Sequence, residues 1–183
     1  AFDDNWQDLF TRAEQRPGTE SKNPSCILLT GAAGFLGGWV LHELLSKTTA
    51  TIVCLLRAEN NDKALHRIAK KLAQFGKNLF EDRIKVLCGD LSQPYLGLNQ
   101  DTWAELSEQT DAVYHCAAQV NMALPYDVLR PSNVVATQEI LRLCCTGRRK
   151  TLHHASTLSV FVSTDQNTGR LLESKRQEKK KKK

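Results

Sequence analysis

Between residues 26 and 156 the chain alternates short strand-like runs, apolar almost throughout in all but the last, with longer stretches whose apolar positions recur every three or four residues. The short runs lie at 26–30 (Cys-Ile-Leu-Leu-Thr), 51–56, 84–88, 112–117 and 151–156. Strands that are apolar on consecutive positions, rather than on every second one, belong in a parallel sheet covered on both faces. The helical periodicity predicts helices over about 35–47, 61–75, 101–108 and 126–146. Strand and helix alternating in this way give an α/β, Rossmann-type doubly wound parallel sheet, most simply in the order 3-2-1-4-5. Residues 1–24 are polar, carry Pro17-Gly18 and Asn23-Pro24, and show only a short amphipathic stretch around Trp6, Leu9 and Phe10. They read as a linker or docking arm, which divides the chain into an arm (1–24), an α/β domain (25–172) and a tail (173–183).

Composition narrows the function classes. With 183 residues, 41% of them hydrophobic, the chain can bury one sizeable core. The formal charge of +5 is concentrated at one end: Lys175, Arg176 and Lys179 to Lys183 put seven positive charges in the last nine residues against Glu178. The remainder holds 18 basic and 19 acidic residues. A neutral body argues against a nucleic-acid-binding face, and the lysine run reads as a solvated or artificial tail. Cys26, Cys54, Cys88 and Cys116 fall in apolar strand-like runs and Cys144 and Cys145 in a helical one, with no metal-ligand spacing. They read as buried thiols of a reducing compartment. The N-terminus lacks a signal pattern and no apolar run approaches the roughly 18 residues of a membrane span, so a cytoplasmic protein is expected, without membrane partners.

The candidate chemistry starts where the first strand meets the first helix, at Thr30-Gly31-Ala32-Ala33-Gly34-Phe35-Leu36-Gly37. There Gly31 permits a tight turn, Gly34 admits a pyrophosphate against the backbone, and Gly37 lets the helix pack closely on the sheet. Free N–H groups across Thr30 to Gly37, Phe35 and Leu36 included, then meet the phosphates together with the helix dipole. The alternative is a glycine-rich turn without a ligand. The G-x-x-G-x-x-G spacing resembles the extended short-chain dehydrogenase/reductase superfamily. The second strand ends in Leu56-Arg57 rather than in the carboxylate an NAD site wants, which suits the 2′-phosphate of NADPH, with Arg67 as a second clamp. Both arginines have an ordinary surface role as their alternative.

The superfamily pattern extends further along the chain. After the third strand, Gly89-Asp90-Leu91 occupies the place where the chain passes the adenine; Asp90 then bonds the base edge or, alternatively, caps a turn. Cys116-Ala117-Ala118 resembles the superfamily's N-A-A segment, with Cys116 at the Asn position and Ala117 and Ala118 leaving room for the cofactor ribose. Asn121, a candidate cofactor contact, and His115 lie nearby, structural before catalytic, and Asn133 matches an asparagine that ties the following helix to the neighbouring strand. In His153-His154-Ala155-Ser156-Thr157 the resemblance gives Thr157, with Ser156 as the second candidate, the hydroxyl that holds a substrate carbonyl oxygen. His153 and His154 point to opposite faces of a strand and cannot share a metal ion.

Taken as a set, Leu29 to Gly37, Cys54-Leu55-Leu56-Arg57-Ala58, Gly89-Asp90-Leu91 and Ser156-Thr157-Leu158-Ser159-Val160-Phe161 resemble the thioester reductase domains of nonribosomal peptide synthetases, polyketide synthases and carboxylic acid reductases. The resemblance covers about residues 25 to 172. It implies NADPH-dependent reduction of an acyl thioester held on the phosphopantetheine of a carrier protein, with release of an aldehyde or alcohol. One departure stands out. The superfamily's Tyr-x-x-x-Lys is missing, since Tyr95, Tyr114 and Tyr126 are followed four residues later by Asn99, Ala118 and Arg130. The chain is therefore expected to be the N-terminal, cofactor-binding half of such a reductase, truncated before the catalytic helix, and to transfer hydride very slowly or not at all alone. Two alternatives stay open. One is a sugar-nucleotide epimerase or dehydratase relative, disfavoured by Arg57; the other is a non-catalytic dinucleotide-binding module.

Overall fold

The structure, a computed structural model, describes residues 6–15, 23–76 and 81–157. Helix α1 (Trp6–Glu14) precedes the sheet. Then follow β1 (Cys26–Thr30), α2 (Phe35–Lys47), β2 (Thr51–Leu56), α3 (Asn61–Ala73), β3 (Ile84–Cys88), α4 (Gln100–Gln109) and β4 (Ala112–His115). Helix α5 (Tyr126–Arg130), a wide π turn (Pro131–Val135), α6 (Ala136–Cys144) and β5 (Thr151–His154) complete the described chain. The five strands form one parallel sheet in the order β3-β2-β1-β4-β5, in register Ile27 with Ile52 on one side and with Ala112 on the other.

The central strand shows why this order results. Ile27, Leu28 and Leu29 of β1 are all fully buried, on alternating faces. Ile27 and Leu29 join Ile52, Leu41 of α2 and Ile68 and Leu72 of α3 in one core. Leu28 joins Leu55, Val113, Trp103 and Leu106 of α4, and Ile140 and Leu143 of α6 in a second core on the other face. Burying each such side chain contributes about 1.5–3 kcal/mol, so an unbroken apolar run is stable only with helices on both sides. Ala64, Ile68 and Leu72 stand four residues apart on α3, the spacing that sets one helix face against the sheet. The edge strand β5 differs from its neighbours, with Thr151, His153 and His154 exposed.

Two boundaries depart from the apolar pattern. Strands β4 and β5 end at His115 and His154, two residues before the expected bounds; after β4 the chain turns to line a cleft with Cys116 to Gln119, whereas after β5 one further bond, Ala155 N–H to His115 O, continues the pairing. The helix expected over 126–146 is interrupted at Pro131, which lacks the N–H that an uninterrupted ladder requires, and the π turn absorbs the break. At the opposite end of the sheet, the buried Asp111 carboxylate accepts hydrogen bonds from Ser25 N–H (2.7 Å), Ser25 Oγ (2.7 Å) and Cys26 N–H (3.1 Å), and lies 3.2 Å from Arg148. Burial raises its pKa, but these hydrogen bonds and the arginine outweigh burial and hold the carboxyl below the usual range. Among the described residues no helix is long and apolar enough to cross a membrane.

Candidate functional site

The connection leaving β1 runs to one face of the sheet and that leaving β4 to the other, so a crevice opens between the carboxyl ends of the two strands. It is a cleft of about 450 Å³. Its floor is the turn between β1 and α2. Gly31 has φ +77° and any Cβ there would stand 2.8 Å from Ala117 N, so both the left-handed backbone and the close approach exclude a side chain. Gly34 N–H donates to Gly31 O at 2.8 Å and closes the turn. At Gly37 a Cβ would fall 2.1 Å from Gly31 O. The close packing expected of Gly37 is thus against the turn's own carbonyl.

Helix α2 begins at Phe35 without a side-chain cap and without an acid in its first turn, whereas α3 and α4 are capped by Asn60 and Asn99. Uncapped N–H groups at the positive end of a helix dipole are an anion seat. The side chains of Phe35 and Leu36 are exposed, so what these two residues can offer the cleft is backbone N–H.

Thr30 lies beneath the floor, fully buried. Its Oγ1 is 2.7 Å from His115 Nδ1 and accepts Ala117 N–H at 3.2 Å, tying the end of β1 to the end of β4. Burial, and then the neighbouring His154, push the His115 pKa down to about 4. The ring is therefore neutral at physiological pH and can accept the Thr30 hydroxyl proton at Nδ1. This lock sets the spacing of the crevice, and Ala117 and Ala118 then line its wall.

The far end of the cleft is basic. Arg57 and Arg67 both line it, and Arg67 Nη1 donates to the Arg57 backbone carbonyl at 2.6 Å, which ties the Arg67 guanidinium to the end of β2. An adjoining groove of about 440 Å³ adds Lys63, itself paired with Glu59. Asp90 and Leu91 form the facing edge. Asp90 Oδ1 accepts Ser92 Oγ–H (2.7 Å) and Ser92 N–H (2.9 Å), and these bonds, with Arg57 beyond them, hold the carboxyl below its ordinary pKa. Asp90 thus both caps a turn and faces the cleft.

Gly31, Gly34, Arg57, Arg67, Asp90, Leu91, Ala117 and Ala118 therefore converge on one cavity. Thr30 and Gly37 support it from below, while Asn121 caps its own loop through Ala123 N–H. Ser156 and Thr157 lie on the exposed segment after β5, which Ala155 N–H ties to His115 O at 2.9 Å; neither lines the cleft. Leu158 to Phe161 and the tail fall outside the described residues. Gln119 and Ser132 line the cleft without having been singled out in the sequence. The only local signal was Asn133, whose Oδ1 accepts Gln119 N–H (2.7 Å) and whose Nδ2 donates to Gln119 O (3.0 Å). Its anchor is thus the loop that follows β4. Tyr114 stacks on His153 and His115 on His154, so the two histidines do face opposite sides.

A model of the family described as male sterility protein, an NAD-binding family, matches residues 29–183. The isonitrile lipopeptide synthase of Mycobacterium tuberculosis is 38% identical over 167 residues, which are 86% of this chain and 7% of that protein. The terminal R domain of the myxalamid PKS-NRPS biosynthetic pathway superimposes with a TM-score of 0.76 at 38% identity, over 86% of this chain and 43% of that one. A thiolation-reductase di-domain from an archaeal non-ribosomal peptide synthetase gives 0.66 at 26% identity, over 88% of this chain and 33% of that one. The chain thus spans less than half of each of these relatives. The family match and these similarities show that the chain belongs to the thioester reductase domain family of nonribosomal peptide and polyketide synthetases, whose N-terminal Rossmann part it represents.

Proposed function

We propose that the chain is the NADPH-binding part of a reductase that releases a carrier-protein-bound acyl thioester as an aldehyde or, after a second reduction, an alcohol. The observation that carries this reading is the pairing of an uncapped helix start at one end of the cleft with two arginines at the other. The cradle fits a dinucleotide: Gly31 and Gly37 stand where side chains would block a close approach, and Arg57 and Arg67 offer guanidinium forks suited to a 2′-phosphate. Gly31 to Gly37 would hold the pyrophosphate through backbone N–H groups, Asp90 and Leu91 would border the adenine, and Ala117 and Ala118 would border the ribose on the nicotinamide side. When bound, the cofactor supplies hydride. Thr157, with Ser156 as the second candidate, would hold the substrate carbonyl oxygen.

The partner under this reading is a phosphopantetheinyl carrier protein, a proposal supported by the likeness to a thiolation-reductase di-domain. All six cysteines are free, with Cys54, Cys144 and Cys145 buried and Cys26, Cys88 and Cys116 half-buried rather than buried as their sequence setting suggests; free thiols suit a reducing compartment, and the reading places the reaction in the cytoplasm. Because this sequence holds no Tyr-x-x-x-Lys, it lacks the phenol that would donate the carbonyl proton.

The test is a parallel titration of the chain with NADPH and NADH, followed by nicotinamide fluorescence. NADPH should bind more tightly, and Arg57→Ala should remove about 10- to 100-fold of that preference, the worth of a charged hydrogen-bond pair. The same chain, supplied with a phosphopantetheinyl acyl thioester, should consume no NADPH. Equal affinity for the two cofactors, unchanged by Arg57→Ala, would refute the NADPH assignment.

A further inference from the structure

We propose that Glu139 of α6, which does not line the cleft, is the positioning residue for Asp90, acting through a left-handed turn. The proposal rests on the dinucleotide reading above. Between β3 and α4 the chain makes a tight turn over Pro94–Gly97, in which Tyr95 (φ 54°, ψ 29°) and Leu96 (φ 60°, ψ 24°) are both left-handed. Two consecutive non-glycine residues in that region are uncommon and persist only where their surroundings leave no other choice. Here the surroundings are specific. Glu139, only 7% exposed, accepts Tyr95 N–H at 2.8 Å through Oε2. The Tyr95 ring meets Trp103 edge-on at 5.2 Å and lies 5.8 Å from the Arg142 guanidinium. Leu96 is fully buried in the second core.

This turn sits directly on the Asp90 backbone. Asp90 N–H donates to Leu96 O at 2.8 Å, and Gln93 N–H returns to Asp90 O at 3.0 Å. A Cβ on Gly89 would stand 2.6 Å from Leu96 O and one on Gly97 3.0 Å from Asp90 N, so nothing separates the two segments. The Leu96 carbonyl points at Asp90 only while Tyr95 and Leu96 stay left-handed. Glu139 is the buried carboxylate that fixes Tyr95 N–H through Oε2 while its Oε1 lies 3.5 Å from Arg142 Nε; a buried carboxylate is costly to keep, and the ion pair with the amide bond offsets its desolvation. The path therefore runs from Glu139 to the Tyr95 amide, through the Leu96 carbonyl to the Asp90 amide, and so to the carboxyl at the cleft edge beside Arg57.

The test uses the full chain with 2′,5′-ADP as the adenylate probe, NADPH as the whole cofactor, and amide hydrogen exchange over residues 89–98. Glu139→Ala should weaken 2′,5′-ADP binding about tenfold and raise exchange at Asp90 and Tyr95 while the strands keep their protection. Glu139→Gln, which keeps an acceptor, should restore most of the affinity. Asp90→Ala combined with Glu139→Ala should bind no more weakly than Asp90→Ala alone, the mark of two residues acting through one contact. Should Glu139→Ala not fold, Glu139→Asp, one methylene too short to reach Tyr95, takes its place. A folded Glu139 variant that binds 2′,5′-ADP as the wild type does, or additive losses in the double variant, would overturn the proposal alone. A wild-type chain that binds neither probe would overturn the cofactor reading and this proposal with it.

Discussion

At the scale of single residues the floor of the cleft separates glycines that look alike in sequence. Gly37 and Gly38 are adjacent in the first turn of α2 and both are buried. A Cβ at 37 meets the Gly31 carbonyl oxygen at 2.1 Å, backbone that cannot move without opening the turn. The atoms nearest a Cβ at 38 are Cε, Cγ and Cδ of Lys71, the closest at 2.6 Å, all on a flexible side chain rather than backbone. Gly37→Ala should therefore cost roughly 1–3 kcal/mol, the range for overpacking a rigid site, and weaken NADPH binding as well. Gly38→Ala should be close to neutral, its crowding offset by the gain of up to about 1 kcal/mol that alanine brings to a helix. Urea unfolding of the two variants decides the matter; equal losses would mean that the turn, like the lysine, can yield.

At the scale of elements, the sheet was legible because a strand sealed on both faces writes an unbroken apolar run, as Ile27, Leu28 and Leu29 do, and because the glycine turn after the first strand favours the 3-2-1-4-5 order over the other common doubly wound one. The glycine turn and Arg57 were legible for a related reason: they sit at strand ends, where a chain-local motif coincides with a fold-determined position. What could not be read depends on convergence. Gln119 and Ser132 reach the cleft only because the π turn at Pro131–Val135 swings Asn133 onto the loop after β4. The left-handed pair Tyr95–Leu96 carries no glycine signal at all, being held by Glu139 from a helix 44 residues away. Asn133→Ala removes both bonds to Gln119 and should free the loop 116–125, with a stability loss of about 1–3 kcal/mol and faster proteolysis at the exposed Val120 and Met122. Limited proteolysis with and without NADPH reads this out. Cleavage no faster than in the wild type would show that the loop is held by something other than Asn133.

Across the whole molecule, buried titratable groups on several elements combine into one stability profile. His115 has a folded pKa of about 4 against 6.5 unfolded, so between these values only the unfolded chain takes the proton. Stability is then constant above pH 6.5 and falls as pH drops toward 4, by about 3 kcal/mol in all. Asp111, depressed by its hydrogen bonds with Ser25 and Cys26, continues the loss below the ordinary carboxylate value. On the alkaline side two effects oppose. Burial lowers Lys150 to about 8, so stability gains as pH rises from 8 to 10.5 while the unfolded chain alone stays protonated. Burial raises Cys54 and Cys144 to about 12 from 9, so above pH 9 the unfolded chain alone ionises and stability is lost. Two thiols with large shifts outweigh one lysine, and the stability maximum should therefore fall between about pH 7 and 9. Urea midpoints from pH 4 to 11 in the presence of reductant would trace this dome. Replacing Cys54 and Cys144 by alanine should make the alkaline limb shallower, because the two largest thiol contributions go while the smaller ones of Cys26 and Cys116, also raised by burial, still oppose that of Lys150. An alkaline limb unchanged by those substitutions would mean that the thiols are not the groups whose burial limits the fold at high pH.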